Sequence, residues 1–149
     1  MPVVPTHALR ACVLVLLLLG AIAGCRRDTP EALLRRDIAT MQSAIEARDA
    51  GALADGLADD FIGPEGMDRT RATRFAQVVF LRNRSIGASI GPLDVDMRGE
   101  SATVKFTAAL TGGSGGMLPD SGQVYDVTTG WRFRDGEWKL VTAEWSPTL

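Results

Sequence analysis

The order of hydrophobic periods along this 149-residue chain predicts an α+β domain. Apolar residues recur at helical spacing between residues 30 and 82,. From residue 86 to residue 145 they alternate with polar ones, the period of a half-buried strand,. Asp135-Gly136 separates two of these alternating rows and is the dipeptide of a two-residue hairpin,. Helices first and a meander of strands afterwards predict about three N-terminal helices packed on one face of a curved antiparallel sheet.

The first helix is expected from Pro30 to about Arg48, with Thr29 as N-cap and Pro30 at the first helical position,. Leu34, Ile38, Met41 and Ile45 form its buried stripe, so Met41 reads as core,. Asp49-Ala50-Gly51 breaks the pattern, and a short second helix over about Ala52 to Ala58 turns Leu53 and Leu57 inward,. Asp59-Asp60-Phe61-Ile62 then leads into the turn-rich Gly63-Pro64-Glu65-Gly66. A third helix, from Asp68 or Arg69 to about Arg82, is expected to bury Ala72, Phe75, Ala76, Val79 and Phe80. Arg71, Arg74 and Arg82 then fall opposite, as a solvated face or a patch for an anion or an acidic partner,.

Strands are expected at Ile86 to Ile90 and Leu93 to Met97, around Gly91-Pro92. A longer one covers Ala102 to Leu110, and a hairpin joins Tyr125–Phe133 to Glu137–Trp145,. The segment Gly112-Gly113-Ser114-Gly115-Gly116 lacks the Gly-Lys-Ser/Thr ending of a phosphate loop and sits between strands, so it reads as a hairpin loop that could rim a pocket with Pro119 and Asp120,.

Ahead of the domain, the apolar stretch Ala11 to Ala21 spans only about 17 Å as a helix, short of the roughly 30 Å of a bilayer core. The run Ile22-Ala23-Gly24-Cys25 that follows it resembles the bacterial lipobox. The resemblance implies that residues 1–24 are a removed signal peptide, 25–29 a lipidated cysteine and tether, and 30–149 the domain. Acyl chains on Cys25 would anchor the protein, at about 0.8 kcal/mol per buried CH₂. Arg26 rather than Asp after the cysteine implies, in a Gram-negative envelope, the outer membrane facing the periplasm. The tether Arg26 to Thr29 reaches only about 15 Å, which keeps the domain near the headgroups.

Cleavage before Cys25 removes His7 and Cys12, the sole histidine and the only other cysteine. The remainder cannot form an internal disulfide, a zinc site with the usual nitrogen or sulfur ligands, or a Ser-His-Asp or Cys-His nucleophile. No cofactor or metal is expected. A net charge of −2 gives no reason to expect nucleic acid,.

Three segments resemble one fold family. Ile45-Glu46-Ala47-Arg48-Asp49-Ala50-Gly51-Ala52-Leu53 is similar to the passage from helix one to helix two in the nuclear-transport-factor-two-like superfamily, which includes SnoaL-like proteins and ketosteroid isomerase. Ala58-Asp59-Asp60-Phe61 resembles its exit into the first strand. Gly130-Trp131-Arg132-Phe133 with Gly136-Glu137-Trp138-Lys139-Leu140 resembles its terminal hairpin. The resemblance implies a cone around an apolar cavity, often dimerised through the sheet. It also offers candidate site residues. Glu65 is nearest in position to the isomerase base, and Tyr125 is the sole tyrosine available to polarise a substrate. The isomerase also needs a protonated aspartate in an apolar site; Asp126 faces away from Tyr125, and the first helix holds no tyrosine. The pattern therefore favours a noncatalytic module for a small apolar ligand or an envelope protein over a histidine-free isomerase or dehydratase. Tyr125 and Trp131 read as core residues of an alternating strand, with ligand contact as the alternative, and Trp145 closes the cavity or packs against a second subunit.

Overall fold

The computed structural model describes residues 28–116 and 119–148. Helix α1 runs over Pro30–Glu46, with the Thr29 hydroxyl accepting from the Ala32 amide at 3.2 Å. Leu34 and Ile38 are buried and Met41 and Ile45 half-buried, so the stripe expected on this helix is the one that packs. Helix α2 (Ala50–Asp55) is capped by the Asp49 carboxylate, which accepts from Ala52 N at 2.9 Å.

The second helix ends earlier than the sequence suggests. Leu57 already belongs to strand β1 (Leu57–Gly63), where it pairs with Leu140, and the Leu140 amide donates to Gly56 O at 2.9 Å. The partner that makes Leu57 a strand residue lies more than eighty positions downstream, where local periodicity carries no information. A single-turn helix at Pro64–Gly66 and the two-residue β2 (Met67–Asp68) then lead into α3 (Arg69–Arg82), whose first turn is capped by Asp68. Ala76 and Phe80 are buried, with Ala72 and Val79 half-buried beside them. Phe75, however, is 54% exposed, so it belongs to the outer arc with Arg71, Arg74 and Arg82 and not to the packed face.

The strands are β3 (Ser85–Ile90), β4 (Asp94–Arg98), β5 (Ser101–Gly113), β6 (Ser121–Arg134) and β7 (Glu137–Pro147). They form one seven-stranded sheet in the order β2-β1-β7-β6-β5-β3, with β4 also on β5. Two short strands thus share one long edge: β3 pairs with residues 108–113 of β5 and β4 with residues 101–105. The sheet is mixed, because β1 runs parallel to β7 while the other pairings are antiparallel, and it is not closed, because β2 and β3 at its ends do not pair. Asp135 and Gly136 both have positive φ (53° and 86°), as a type I′ hairpin requires, and they set the β6–β7 register,.

That register puts one row of side chains under the helices. Ala102 and Val104 of β5 face Trp131 and Thr129 of β6, which in turn face Leu140 and Ala143 of β7. With Leu34, Ile38, Leu57, Phe61 and Trp138 they make the core. Helix α1 is fixed at both ends. Near its start, the Trp138 indole donates to Pro30 O at 3.0 Å and the Trp138 amide to Asp37 Oδ2 at 2.9 Å; near its end, Gln42 Nε2 donates to Ala88 O. Every core residue lies between Leu34 and Ala143, so the domain carries its own core,.

Candidate functional site

Strands β5, β6 and β7 continue past this core. On the helix side the next row is Phe106, Val127 and Trp145, and the row beyond it is Ala108, Tyr125 and Pro147. Val127, Tyr125 and Trp145 lie outside the core cluster. Trp145 is 40% exposed, Leu110 is 36% exposed, and Tyr125 and Val127 are half-buried. Beyond the core, β5, β6 and β7 therefore present aromatic and aliphatic side chains to solvent on the helix side of the sheet.

The opposite face of the same strands is polar. Residues alternate sides along a strand, so Lys105, Thr128 and Glu144 form one cross-strand row and Thr107, Asp126 and Ser146 the next. These six residues, with Pro92, Phe106, Val127 and Trp145, line an open groove of about 670 Å³. The sequence contained half of this information, since five of these six residues are polar positions within the expected strands and Ser146 lies one residue beyond them. Only the strand register brings them together.

The candidate residues lie in different surroundings. Glu65 is exposed on the single-turn helix and adopts φ 57°, ψ 28°, a left-handed conformation uncommon for a residue other than glycine,. Tyr125 is two strands away on β6, with β7 between β1 and β6. No hydrogen bond joins Tyr125 to Glu65 among the described residues, and neither lines the groove. Trp131 is 5% exposed inside the core, and its indole donates to the Thr129 hydroxyl at 2.8 Å. The Gly112–Gly116 segment runs from the end of β5 into the turn before β6; Asp120 closes it by accepting from Ser114 N at 2.7 Å, and none of it lines the groove. Cys25 lies outside the described residues.

Electrostatics around the sheet are superficial. Arg132 on β6 reaches across β7 to Asp60 on β1, with Nη1 at 3.1 and 3.0 Å from the two carboxylate oxygens. That hydrogen bond holds the Asp60 carboxyl below its ordinary range; Lys139 does the same to Glu137. A lowered folded-state pKa means that the contribution is present above the unfolded value and is lost as pH falls through the folded one. Arg132→Gln is expected to return Asp60 toward ordinary carboxylate titration, followed by carboxyl NMR shifts. The accompanying loss of stability should be small at neutral pH and vanish in acid. Among the described residues no cluster of His, Cys, Asp and Glu is suited to a metal ion.

No family model matches the sequence, and no curated protein matches it. Solved structures do match. A provisionally named dehydratase of the NTF2-like family from Streptomyces avermitilis is 21% identical with TM-score 0.68, over 81% of this chain and 99% of that one. An NTF2-like superfamily protein from Salmonella enterica is 15% identical with TM-score 0.62, over 76% of this chain and 87% of that one. Bd1075 of Bdellovibrio bacteriovorus is 14% identical with TM-score 0.69; the match takes in 77% of this chain but only 40% of that one. The fold is thus the nuclear-transport-factor-two-like fold expected from the helix junction and the terminal hairpin. Identity this low speaks to fold, and fold alone does not fix function.

Proposed function

We propose that this chain is a lipid-anchored cell-envelope protein, held by acylated Cys25 at the outer membrane facing the periplasm, whose domain is a noncatalytic module for a small apolar ligand. The carrying observation is the helix side of β5, β6 and β7 beyond the core, where Leu110, Tyr125 and Trp145 stand half-covered. Apolar surface exposed inside a concave fold is where a ligand gains most from leaving water. The open polar groove on the reverse face is the matching place for an envelope protein or a second copy of the chain.

The ligand reading is tested by native mass spectrometry of Arg26–Leu149 purified gently from its own periplasm. A retained apolar mass that is lost in Trp145→Ala and Tyr125→Ala variants supports it; an empty monomer or dimer overturns it. The anchor is tested separately. Cys25→Ser is expected to accumulate as unacylated precursor in whole cells, and normal acylation of that variant would remove the basis for the anchor.

One observation favours a second reading, a histidine-free isomerase or dehydratase. Glu65 holds a backbone conformation that costs about 1–3 kcal/mol in a residue other than glycine, and such strain gathers at active sites,. The protein from Streptomyces avermitilis carries a dehydratase name on the same fold. If Glu65 is the base, Glu65→Gln should abolish turnover of a bound ligand while leaving its retention intact.

A further inference from the structure

Helix α3 carries a surface that the apolar end of the sheet does not explain. From residue 69 to residue 84 the chain has five arginines and no carboxylate. Arg69 is taken up within the fold: it donates to Ala54 O at 3.2 Å and to Asp59 at 2.6 Å. Arg71, Arg74 and Arg82 are exposed, and among the described residues their guanidinium groups make no ion pair or hydrogen bond. The same outer arc holds Phe75, Val78 and Leu81, exposed by 54%, 46% and 87%. At 100° per residue these six side chains fall within about 120° of one another. Basic and apolar groups therefore alternate on one face, while Ala76 and Phe80 on the other hold the helix to the domain.

We propose that this face of α3 docks on an anionic lipid bilayer. Guanidinium groups bind phosphate in a planar fork and lie along apolar neighbours. Between such contacts, Phe75, Val78 and Leu81 can enter the zone between headgroups and acyl chains, as the apolar side of an interfacial helix does. A purely acidic protein partner would account for the arginines but not for a leucine exposed by 87% among them. Residues 26–29 are the only chain between Cys25 and α1, so the acylated chain cannot carry the domain far from a bilayer. This part of the argument rests on the anchor proposed above. Acylation would set the distance, and α3 would set which side of the domain turns toward the headgroups.

The test uses the chain from Arg26 to Leu149, which holds the whole core and has no acyl group, so the outcome does not depend on acylation of Cys25. Cosedimentation is measured with vesicles of equimolar phosphatidylglycerol and phosphatidylcholine, and with pure phosphatidylcholine. Binding is expected to the anionic vesicles only and to weaken with salt. Combining Arg71→Gln, Arg74→Gln and Arg82→Gln should lower it by about fivefold per arginine. Arg26 and Arg27 remain in that variant, so the loss reports the helix. This segment has no cysteine of its own, so a polarity-sensitive dye on a Leu81→Cys variant reads insertion, with a blue shift expected on anionic vesicles. Binding that is absent at low salt, equal on both vesicle types, or unchanged by the arginine substitutions would overturn the proposal. Circular dichroism of each variant separates these results from unfolding, which substitutions at exposed positions should not cause.

Discussion

Trp138→Ala is expected to destabilise the domain by about 3–5 kcal/mol, the range for removing a large aromatic side chain from a core. The residue is 2% exposed and joins the two halves of the chain. Its ring meets Phe133 at 5.3 Å with a 51° tilt, an aromatic pairing within β6–β7,. Its indole N–H meets Pro30 O, in the first turn of α1, across a sequence separation of 108 residues. Truncation leaves a cavity beneath α1 and takes away a donor at the helix start. Trp138→Phe separates the two effects, because it keeps most of the apolar contact and removes the donor. It should cost less than the alanine variant, about 1–3 kcal/mol, from the lost hydrogen bond and the smaller ring. Urea unfolding followed by far-ultraviolet circular dichroism measures both. A cost under about 1 kcal/mol for the alanine variant would mean that α1 is held mainly by Leu34 and Ile38 and that the hairpin does not pin it.

The elements that could be read from the sequence are those whose physics is local. Thr29-Pro30 starts α1 and Asp68 starts α3 because a capping side chain and the amide it satisfies are three residues apart,. Asp135-Gly136 sets a hairpin because two positive φ angles suffice to turn the chain,. What could not be read depends on distant partners. Leu57 has helical neighbours and joins a strand because Leu140 lies beside it. Phe75 is apolar and four residues before Val79, yet at 100° per residue it stands beside Arg71 and Arg82 and is exposed,. A wheel ranks directions, and only the fold decides which direction is inside.

The same division applies to function. The run ending at Cys25 resembles a lipobox and is legible because it is contiguous, whereas the groove lined by Lys105, Asp126 and Glu144 comes from three strands that only their register brings together. Trp131 and Tyr125 share one face of β6 at six residues' distance. The alternation that placed them together could not say which lay under the helices. Trp131 does and is enclosed; Tyr125 lies three cross-strand rows farther along and is only half-buried. The useful distinction between these two aromatic residues is therefore where the helix layer stops, a tertiary property.

Thr129→Val should cost about 1–3 kcal/mol although it changes neither the size nor the branching of the side chain. Among the described residues Thr129 is the only buried polar side chain. Its hydroxyl accepts from Trp131 Nε1 at 2.8 Å and donates to Val104 O at 3.1 Å, so one oxygen satisfies the indole and passes its own proton across to β5. Valine fills the same space and strands the indole N–H in the core, where no water replaces the bond. Thr129→Ser keeps the hydroxyl and loses only a methyl group, so it should cost about 1 kcal/mol, near that of a buried methylene. Trp131→Phe removes the donor itself. If the relay carries the cost, Thr129→Val in a Trp131→Phe background should be milder than in the native chain by about 1 kcal/mol or more, a coupling that a double-mutant cycle resolves. Equal costs in the two backgrounds would mean that the threonine acts through its bond to Val104 alone. Conversely, strong coupling would explain how an indole group lies in the core without its polarity weakening it: the sheet register brings Thr129 and Trp131 to the same face two residues apart, and the hydroxyl lies where the N–H must end.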